Sequence, residues 1–107
     1  MRILLDECVP KGLKRFFPPA HEVLTVAEVG WSGLTNGVLL GKASEQFEVF
    51  ISVDASVRYQ LRLDKYPLIF VLLEARSNDI SSLEPLVPAV LQALMTAHAP
   101  QLIVIKE

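Results

Sequence analysis

Acidic side chains follow two short apolar runs that lie far apart in the chain. Asp6 and Glu7 come directly after the run 3–5, and Asp54 comes directly after the run 49–53. If these runs are neighbouring parallel strands, the two aspartates meet at one edge of a sheet, where they repel each other unless a proton or a cation intervenes. Carboxylate oxygens are ligands that Mg²⁺ and Mn²⁺ prefer. The pattern therefore predicts that Asp6 and Asp54 hold a divalent ion that activates water and neutralises a phosphoryl group, with Glu7 as an assisting acid.

Cationic and polar side chains are expected beside these acids. Arg58 follows Asp54 by about one helical turn, and Arg76, Ser77 and Asn78 follow a fourth apolar run. Arginine is well suited to binding phosphate, so this set is predicted to contact phosphate or RNA. A simpler interpretation is open as well: the aspartates end strands and cap helices, Ser77 and Asn78 are caps, and the arginines are solvated.

The elements that would position these residues alternate along the chain. Apolar runs predict strands at 3–5, 22–26, 49–53, 68–73 and 102–105. Helices are predicted between them at 10–16, 36–47, 56–63 and 82–98, the last with a capping box at 81–84. Continuous apolar runs are typical of strands covered on both faces. The sequence therefore predicts an α/β fold, a three-layer α/β/α sandwich on a mostly parallel five-stranded sheet of order 2-1-3-4-5, with the last strand the least certain.

Composition narrows the classes of function. A chain of 107 residues fits one domain, 1–107, and its net charge of −2 excludes a globally basic nucleic-acid-binding surface. A single cysteine, Cys8, indicates a reducing compartment, and no run approaches the roughly 18 apolar residues of a membrane helix. We therefore expect a cytoplasmic protein with no membrane partner. A hydrophobic content of 51% and a mean hydropathy of +0.40 predict an apolar surface for self-association, as a homodimer.

The order and spacing of the short motifs resemble the PIN-like domains of many uncharacterised bacterial proteins, which are related to PIN nucleases. The likeness covers nearly the whole chain, with matching motifs at 4–10, 21–23, 30–37, 51–54, 58–60, 75–78 and 86–88. It implies a ribonuclease that uses Mg²⁺ or Mn²⁺ to hydrolyse RNA, as the toxin of a type II toxin–antitoxin pair with an antitoxin protein as partner. On this resemblance Asp6 and Asp54 match the metal-binding acids of the family.

Two positions depart from the family pattern. Cys8 stands where many relatives carry Asn, and Asn36 lies in a region where many carry an acid at the start of a helix. The neutral amide oxygen of Asn36 is a weak metal ligand, and Glu45 lies too far along the same helix to replace it. The number of carboxylates is therefore low for two metals. The chain is expected to bind one ion, to need a partner, or to have lost catalysis while keeping the fold.

Two other classes of function fit parts of the pattern. A receiver-like phosphoacceptor domain also carries acids after its first and third strands and a lysine after its fifth, as Asp6, Glu7, Asp54 and Lys106 do here. Against this interpretation, the fourth strand ends in Leu-Leu-Glu74, without the expected Ser or Thr. The other class is a catalytically inactive interaction module that binds a partner through its apolar surface.

Overall fold

The strands form one parallel sheet. The computed structural model describes residues 1–60 and 62–107, apart from the side chains of Arg58 and Gln60. The strands are β1 (Arg2–Leu5), β2 (Glu22–Thr25), β3 (Val49–Ser52), β4 (Ile69–Glu74) and β5 (Gln101–Lys106). Their order is β2-β1-β3-β4-β5, and each neighbouring pair is parallel. The predicted order is confirmed, and β5 is parallel like the rest.

The helical segments are shorter than the sequence predicts. They are α1 (Asn36–Gln46), α2 (Val57–Gln60), α3 (Ile80–Leu83) and α4 (Val87–Leu94), with 3₁₀-helices at Lys11–Phe16, Leu63–Lys65 and Glu84–Leu86. The helix predicted at 10–16 is thus a 3₁₀-helix, and the one predicted at 56–63 is a single turn of α-helix. Part of that second prediction, Leu61, lies outside the described residues. None of the helices described is long and apolar enough to cross a bilayer.

The helix predicted at 82–98 is wrong as a single element. Pro85 and Pro88 have no backbone N–H to donate to the carbonyl four residues earlier. The predicted helix is therefore divided into α3, a 3₁₀ turn that contains Pro85, and α4, which has Pro88 in its first turn. The cap is Asp79 instead of the predicted serines. Its Oδ1 accepts the backbone N–H of Ser82 at 3.0 Å and the hydroxyl of Ser81 at 3.1 Å.

Helices cover both faces of the sheet. Ile3 and Leu5 of β1 point into a buried cluster with Val90 of α4, whereas Leu4 points into a second cluster with Leu40 of α1. Successive strand residues face opposite sides, so a strand that is apolar throughout can be buried on both. The predicted three-layer α/β/α sandwich is confirmed.

This topology determines where a site can lie. The carboxyl ends of all five strands reach the same edge, and strand order reverses between β1 and β3. Ligands of open parallel sheets bind at such a reversal. The ladder between β1 and β3 extends to its end, where Asp6 donates its backbone N–H to the carbonyl of Ile51 at 2.9 Å. The residues after β1 and β3 are therefore fixed side by side.

Candidate functional site

A buried hydroxyl links the two aspartates singled out by the sequence. Ser52 is the last residue of β3 and is 5% exposed. Its Oγ donates to Oδ2 of Asp6 at 2.8 Å and accepts the backbone N–H of Asp54 at 3.0 Å. The structure thus brings the Asp6 carboxylate to the point where the chain leaves β3 toward Asp54.

The Asp6 carboxylate is half-buried and held from several sides. Its Oδ1 accepts the backbone N–H of Glu7 at 2.8 Å, and its Oδ2 accepts Ser52 and, at 3.6 Å, the thiol of Cys8. Fixed donors restrict the rotation of the carboxylate, which is what a ligand or a catalytic acid requires.

The Asp54 carboxylate lies at the surface and begins the next turn. Its Oδ1 accepts the backbone N–H of Ser56 at 3.0 Å and the Ser56 hydroxyl at 2.6 Å. This is an Asx-type turn leading into α2, so one oxygen of Asp54 has the capping role of the simpler interpretation. Among the described residues, hydrogen bonds reach only that oxygen, so none of them occupies Oδ2.

No described cation neutralises either aspartate. The ion pairs in the structure lie elsewhere, and among the described side chains, which do not include that of Arg58, no lysine or arginine nitrogen pairs with Asp6 or Asp54. A carboxylate without a cationic partner attracts a metal ion or a proton.

Glu7 points to a neighbouring loop. Its Oε1 accepts the backbone N–H of Gly33 at 3.0 Å. Gly33 has a φ of +83°, a left-handed conformation that favours glycine. Glu7 therefore holds the loop that precedes α1 against the end of β1, and the described contacts do not bring it to Asp54.

An open cleft lies beside Asp6, between the ends of β1 and β2. Its volume is about 280 Å³, and it is lined by Asp6, Glu7, Val9, Pro10, Lys11, Thr25 and Ala27. Lys11 is exposed and has no carboxylate partner among the described side chains. The cleft thus combines an anchored carboxylate with an ammonium group.

The predicted phosphate-binding residues after β4 are engaged with other groups. Arg76 donates its backbone N–H to Oε1 of Glu107 at 2.8 Å, and its Nε lies 3.5 Å from Oε2 of the same residue. The hydroxyl of Ser77 accepts the backbone N–H of Asp79 at 3.2 Å, which is a turn-forming role. Asn78 lies in the bend between them.

Three other candidate residues are placed only in part. Asn36 begins α1 at the same edge of the sheet, three positions after Gly33, so its assignment as a metal ligand stays a prediction. The Arg58 side chain, a predicted phosphate ligand, lies outside the described residues. Lys106 ends β5, where its Nζ is 4.0 Å from Oε2 of Glu74, three strands away from β1.

The Cys8 thiol lies beside Ser52 and Asp6, and these neighbours affect its pKa. Its Sγ lies 3.5 Å from Oγ of Ser52 and 3.6 Å from Oδ2 of Asp6. Burial raises the pKa of the thiol, the hydrogen bond with Ser52 lowers it, and the negative charge of Asp6 raises it, with a net upward shift. The thiol is therefore protonated at neutral pH, which makes Cys8 a poor nucleophile.

The donor set suits a hydrated hard cation better than a closed cage. Within the described part of the chain, no three His, Cys, Asp or Glu side chains come close enough together to hold a metal. Mg²⁺ commonly keeps several waters and uses one or two carboxylates together with substrate phosphate. Asp6 and Asp54 are two carboxylates at this edge, and the Ser52 hydroxyl links the Asp6 carboxylate to the backbone N–H of Asp54 and not to its carboxylate.

We find no family model, no curated protein and no solved structure that matches this chain. The function must therefore be argued from the site itself.

From the sequence alone we did not identify two residues at the carboxyl edge of the sheet, Ser52 and Lys11. Ser52 is the one polar residue of the strand Val49–Ser52, and a hydroxyl two positions before Asp54 was a usable signal. Lys11 follows Asp6 by five positions, within the first turn of the next element, but charge patterning alone does not distinguish it from a solvated lysine.

Proposed function

We propose that this chain is a metal-dependent ribonuclease of the PIN-like type, in which Asp6 and Asp54 hold one Mg²⁺ or Mn²⁺ ion. The observation that carries the proposal is the Ser52 hydroxyl, which links the Asp6 carboxylate to the backbone N–H of Asp54 at the strand-order reversal. Neither carboxylate has a cationic partner among the described side chains, so the negative charge at this edge is available to a cation.

The chain's own groups have distinct roles in this proposal. Asp6, anchored by three donors, is the fixed ligand, and Asp54, with Oδ2 available, is the surface ligand. Ser52 is a positioning residue, because it orients the carboxylate of Asp6. When bound, the ion supplies charge neutralisation at phosphate and a more acidic water.

Among the described side chains, Lys11 is the best-placed phosphate contact on this proposal. It lines the cleft beside Asp6, whereas Arg76 is engaged with Glu107. A lysine ammonium binds phosphate as a point charge, without the geometric selectivity of arginine. With a net charge of −2, the chain offers little long-range attraction to RNA, so binding depends on the cleft and the ion. The antitoxin partner implied by the resemblance stays part of the same proposal.

The test is cleavage of a fluorescent single-stranded RNA by purified protein with Mn²⁺ or Mg²⁺. EDTA should abolish the cleavage, and Asp6→Asn and Asp54→Asn should each lower the rate at least about 100-fold, because each removes a negatively charged ligand. Glu45→Gln is the matched control, since this exposed acid on α1 lies outside the site and should keep the full rate.

Binding of Mn²⁺ gives a second readout that does not require activity. Electron paramagnetic resonance should show the free-ion signal reduced by the wild-type protein and restored by Asp6→Asn. If the wild-type protein neither binds Mn²⁺ nor cleaves RNA, or if both aspartate variants retain cleavage, the nuclease proposal is wrong.

The receiver-like alternative is supported by the same strand order and the same two acids. It requires a lysine near the phosphoacceptor, whereas the Nζ of Lys106 lies 4.0 Å from Oε2 of Glu74. Incubation with a small phosphodonor, followed by mass spectrometry of Asp54, would distinguish the two proposals.

A further inference from the structure

Within the described residues, β5 pairs only with β4, so it forms one edge of the sheet. Gln101 donates its backbone N–H to Leu68 at 3.3 Å, and Glu107 donates to Glu74 at 2.9 Å, both toward β4. Backbone groups alternate in direction along a strand. The N–H and C=O groups of Leu102, Val104 and Lys106 therefore point away from the sheet, toward whatever lies beside β5.

Among the described residues, this edge has little of the protection that edge strands usually have. Proteins shield such strands with charges, proline within the strand, short length or a covering element. β5 is six residues long, and it carries no charge before Lys106. Leu102 is 41% exposed, and the next three residues are half-buried. The other edge, β2, is four residues long and carries Glu22 in an ion pair with Arg2.

We propose that β5 pairs antiparallel with β5 of a second copy of this chain, about a two-fold axis at Val104. In a two-fold antiparallel pair, the two residues that lie opposite each other must face the same side of the sheet. Because side chains alternate along a strand, the numbers of these two residues are both even or both odd, and their sum is even. The outward backbone groups must also face each other. A centre at Val104 satisfies both conditions and engages all three outward residues, for about six hydrogen bonds between the copies.

The side chains complement each other in this register. On one face, Val104 packs on Val104 of the partner subunit, and Leu102 lies opposite Lys106 of the partner subunit. A shallow groove lined by Leu63, Asp64, Phe70, Pro100, Gln101 and Leu102 receives that lysine. Its apolar stem covers the groove, and its ammonium exchanges the 4.0 Å contact with Glu74 for the carboxylate of Asp64, which also pairs with Arg62.

The opposite face of the paired strands is apolar. Ile103 lies opposite Ile105 of the partner subunit, and both residues are half-buried against the core of their own chain. Directly opposed β-branched residues stabilise antiparallel pairs. The two sheets then form one continuous sheet, and the cleft beside Asp6, three strands away, stays open. The dimer and the nuclease proposal can therefore fail separately.

The first test is sedimentation over about 1–200 μM protein, a range set by ordinary dimer affinities. The wild-type protein should reach a dimer. Val104→Pro removes an N–H that points away from β4, which edge strands tolerate, so the fold should be kept. Because two central hydrogen bonds are lost, the dissociation constant should rise at least about tenfold. Circular dichroism verifies that the variant is folded.

Disulfide cross-linking tests the register in a Cys8→Ser background. Val104→Cys places the two Cα atoms about 5.5 Å apart, within disulfide range. Leu102→Cys is the matched control: it lies on the same face and is more exposed, but its two copies are about 14 Å apart along the strands. Oxidation should cross-link the first variant and not the second. A protein that is monomeric at every concentration, a dimer insensitive to Val104→Pro, or equal cross-linking of both variants would overturn the proposal.

Discussion

Replacement of Ser52 by alanine tests the central link of the site. The hydroxyl donates to the Asp6 carboxylate at 2.8 Å and accepts the Asp54 N–H at 3.0 Å, so Ser52→Ala removes both bonds at once. A hydrogen bond to a charged group contributes about 1.5–3 kcal/mol to stability and a neutral one about 0.5–1.5 kcal/mol. Their sum, without compensation, is about 2–4.5 kcal/mol.

Water should reduce this cost. That water comes from solvent on the Asp6 side, because the cavity of about 20 Å³ beside Ser52 is lined mostly by apolar side chains and Asp6 does not line it. Asp6 is also half-buried, so its carboxylate regains some solvation. We therefore expect the lower end of the range, a loss of about 2 kcal/mol in the free energy of unfolding.

Urea unfolding measured in EDTA isolates this effect from any metal. The midpoint should fall by about 1 M and the melting temperature by about 8 °C. Ser44→Ala is the matched control, because the Ser44 hydroxyl donates only to the Leu40 carbonyl within α1 and alanine is the better helix former. A loss below about 0.5 kcal/mol for Ser52→Ala, or an equal loss for Ser44→Ala, would refute the role of Ser52. On the proposed function, Ser52→Ala should also weaken Mn²⁺ binding by roughly 10- to 100-fold.

Other outcomes follow from the same contacts. Alkylation of Cys8 at pH 8 should be slower than that of an unperturbed thiol, because burial raises the pKa of Cys8. In Asp6→Asn the alkylation should be faster than in the wild-type protein, because the variant removes a negative charge that raises this pKa. Equal alkylation rates in the two proteins would contradict this. Asp79→Ala should lower the melting temperature by a few degrees, since the cap of α3 is lost. The hydrogen bond from Lys14 lowers the pKa of Glu28, so its stabilising contribution is present above the unfolded pKa of 4.5 and is lost as pH falls through the folded value. In Glu28→Gln, the urea midpoint should accordingly fall less steeply than in the wild-type protein as the pH is lowered from about 5 to about 3. An unchanged pH dependence of the midpoint would exclude this contribution.

The sheet was predictable because burial on both faces leaves a direct signature. Strands such as Val49–Ser52 and Ile69–Glu74 are apolar at successive positions, which a half-exposed strand would not tolerate. Alternation with helical segments then leaves few arrangements of the sheet. The order that brings the ends of β1 and β3 together could therefore be predicted before any coordinate.

The helical regions and the details of the site were less predictable. Leu83 and Val90 have the spacing of one helical face, but the prolines at 85 and 88 divide the region into two helices. The spacing of apolar residues gives no information about missing backbone N–H groups, so it could not predict this division. Around the acids, residue type could not show that Glu7 turns to Gly33, because that contact depends on a loop conformation. The bridging role of Ser52 likewise depends on a tertiary distance.

An all-parallel sheet also gives the molecule two unlike ends, and this bears on how fusions should be made. Met1 lies just before β1, at the amino edge, whereas Glu107 follows β5 at the edge that carries the acids. Glu107 is engaged with Arg76 and lies next to the strand edge offered to a second copy. An affinity tag or fluorophore attached at residue 1 therefore leaves the proposed ion site and the proposed dimer edge accessible, whereas the same label at residue 107 would crowd the dimer edge.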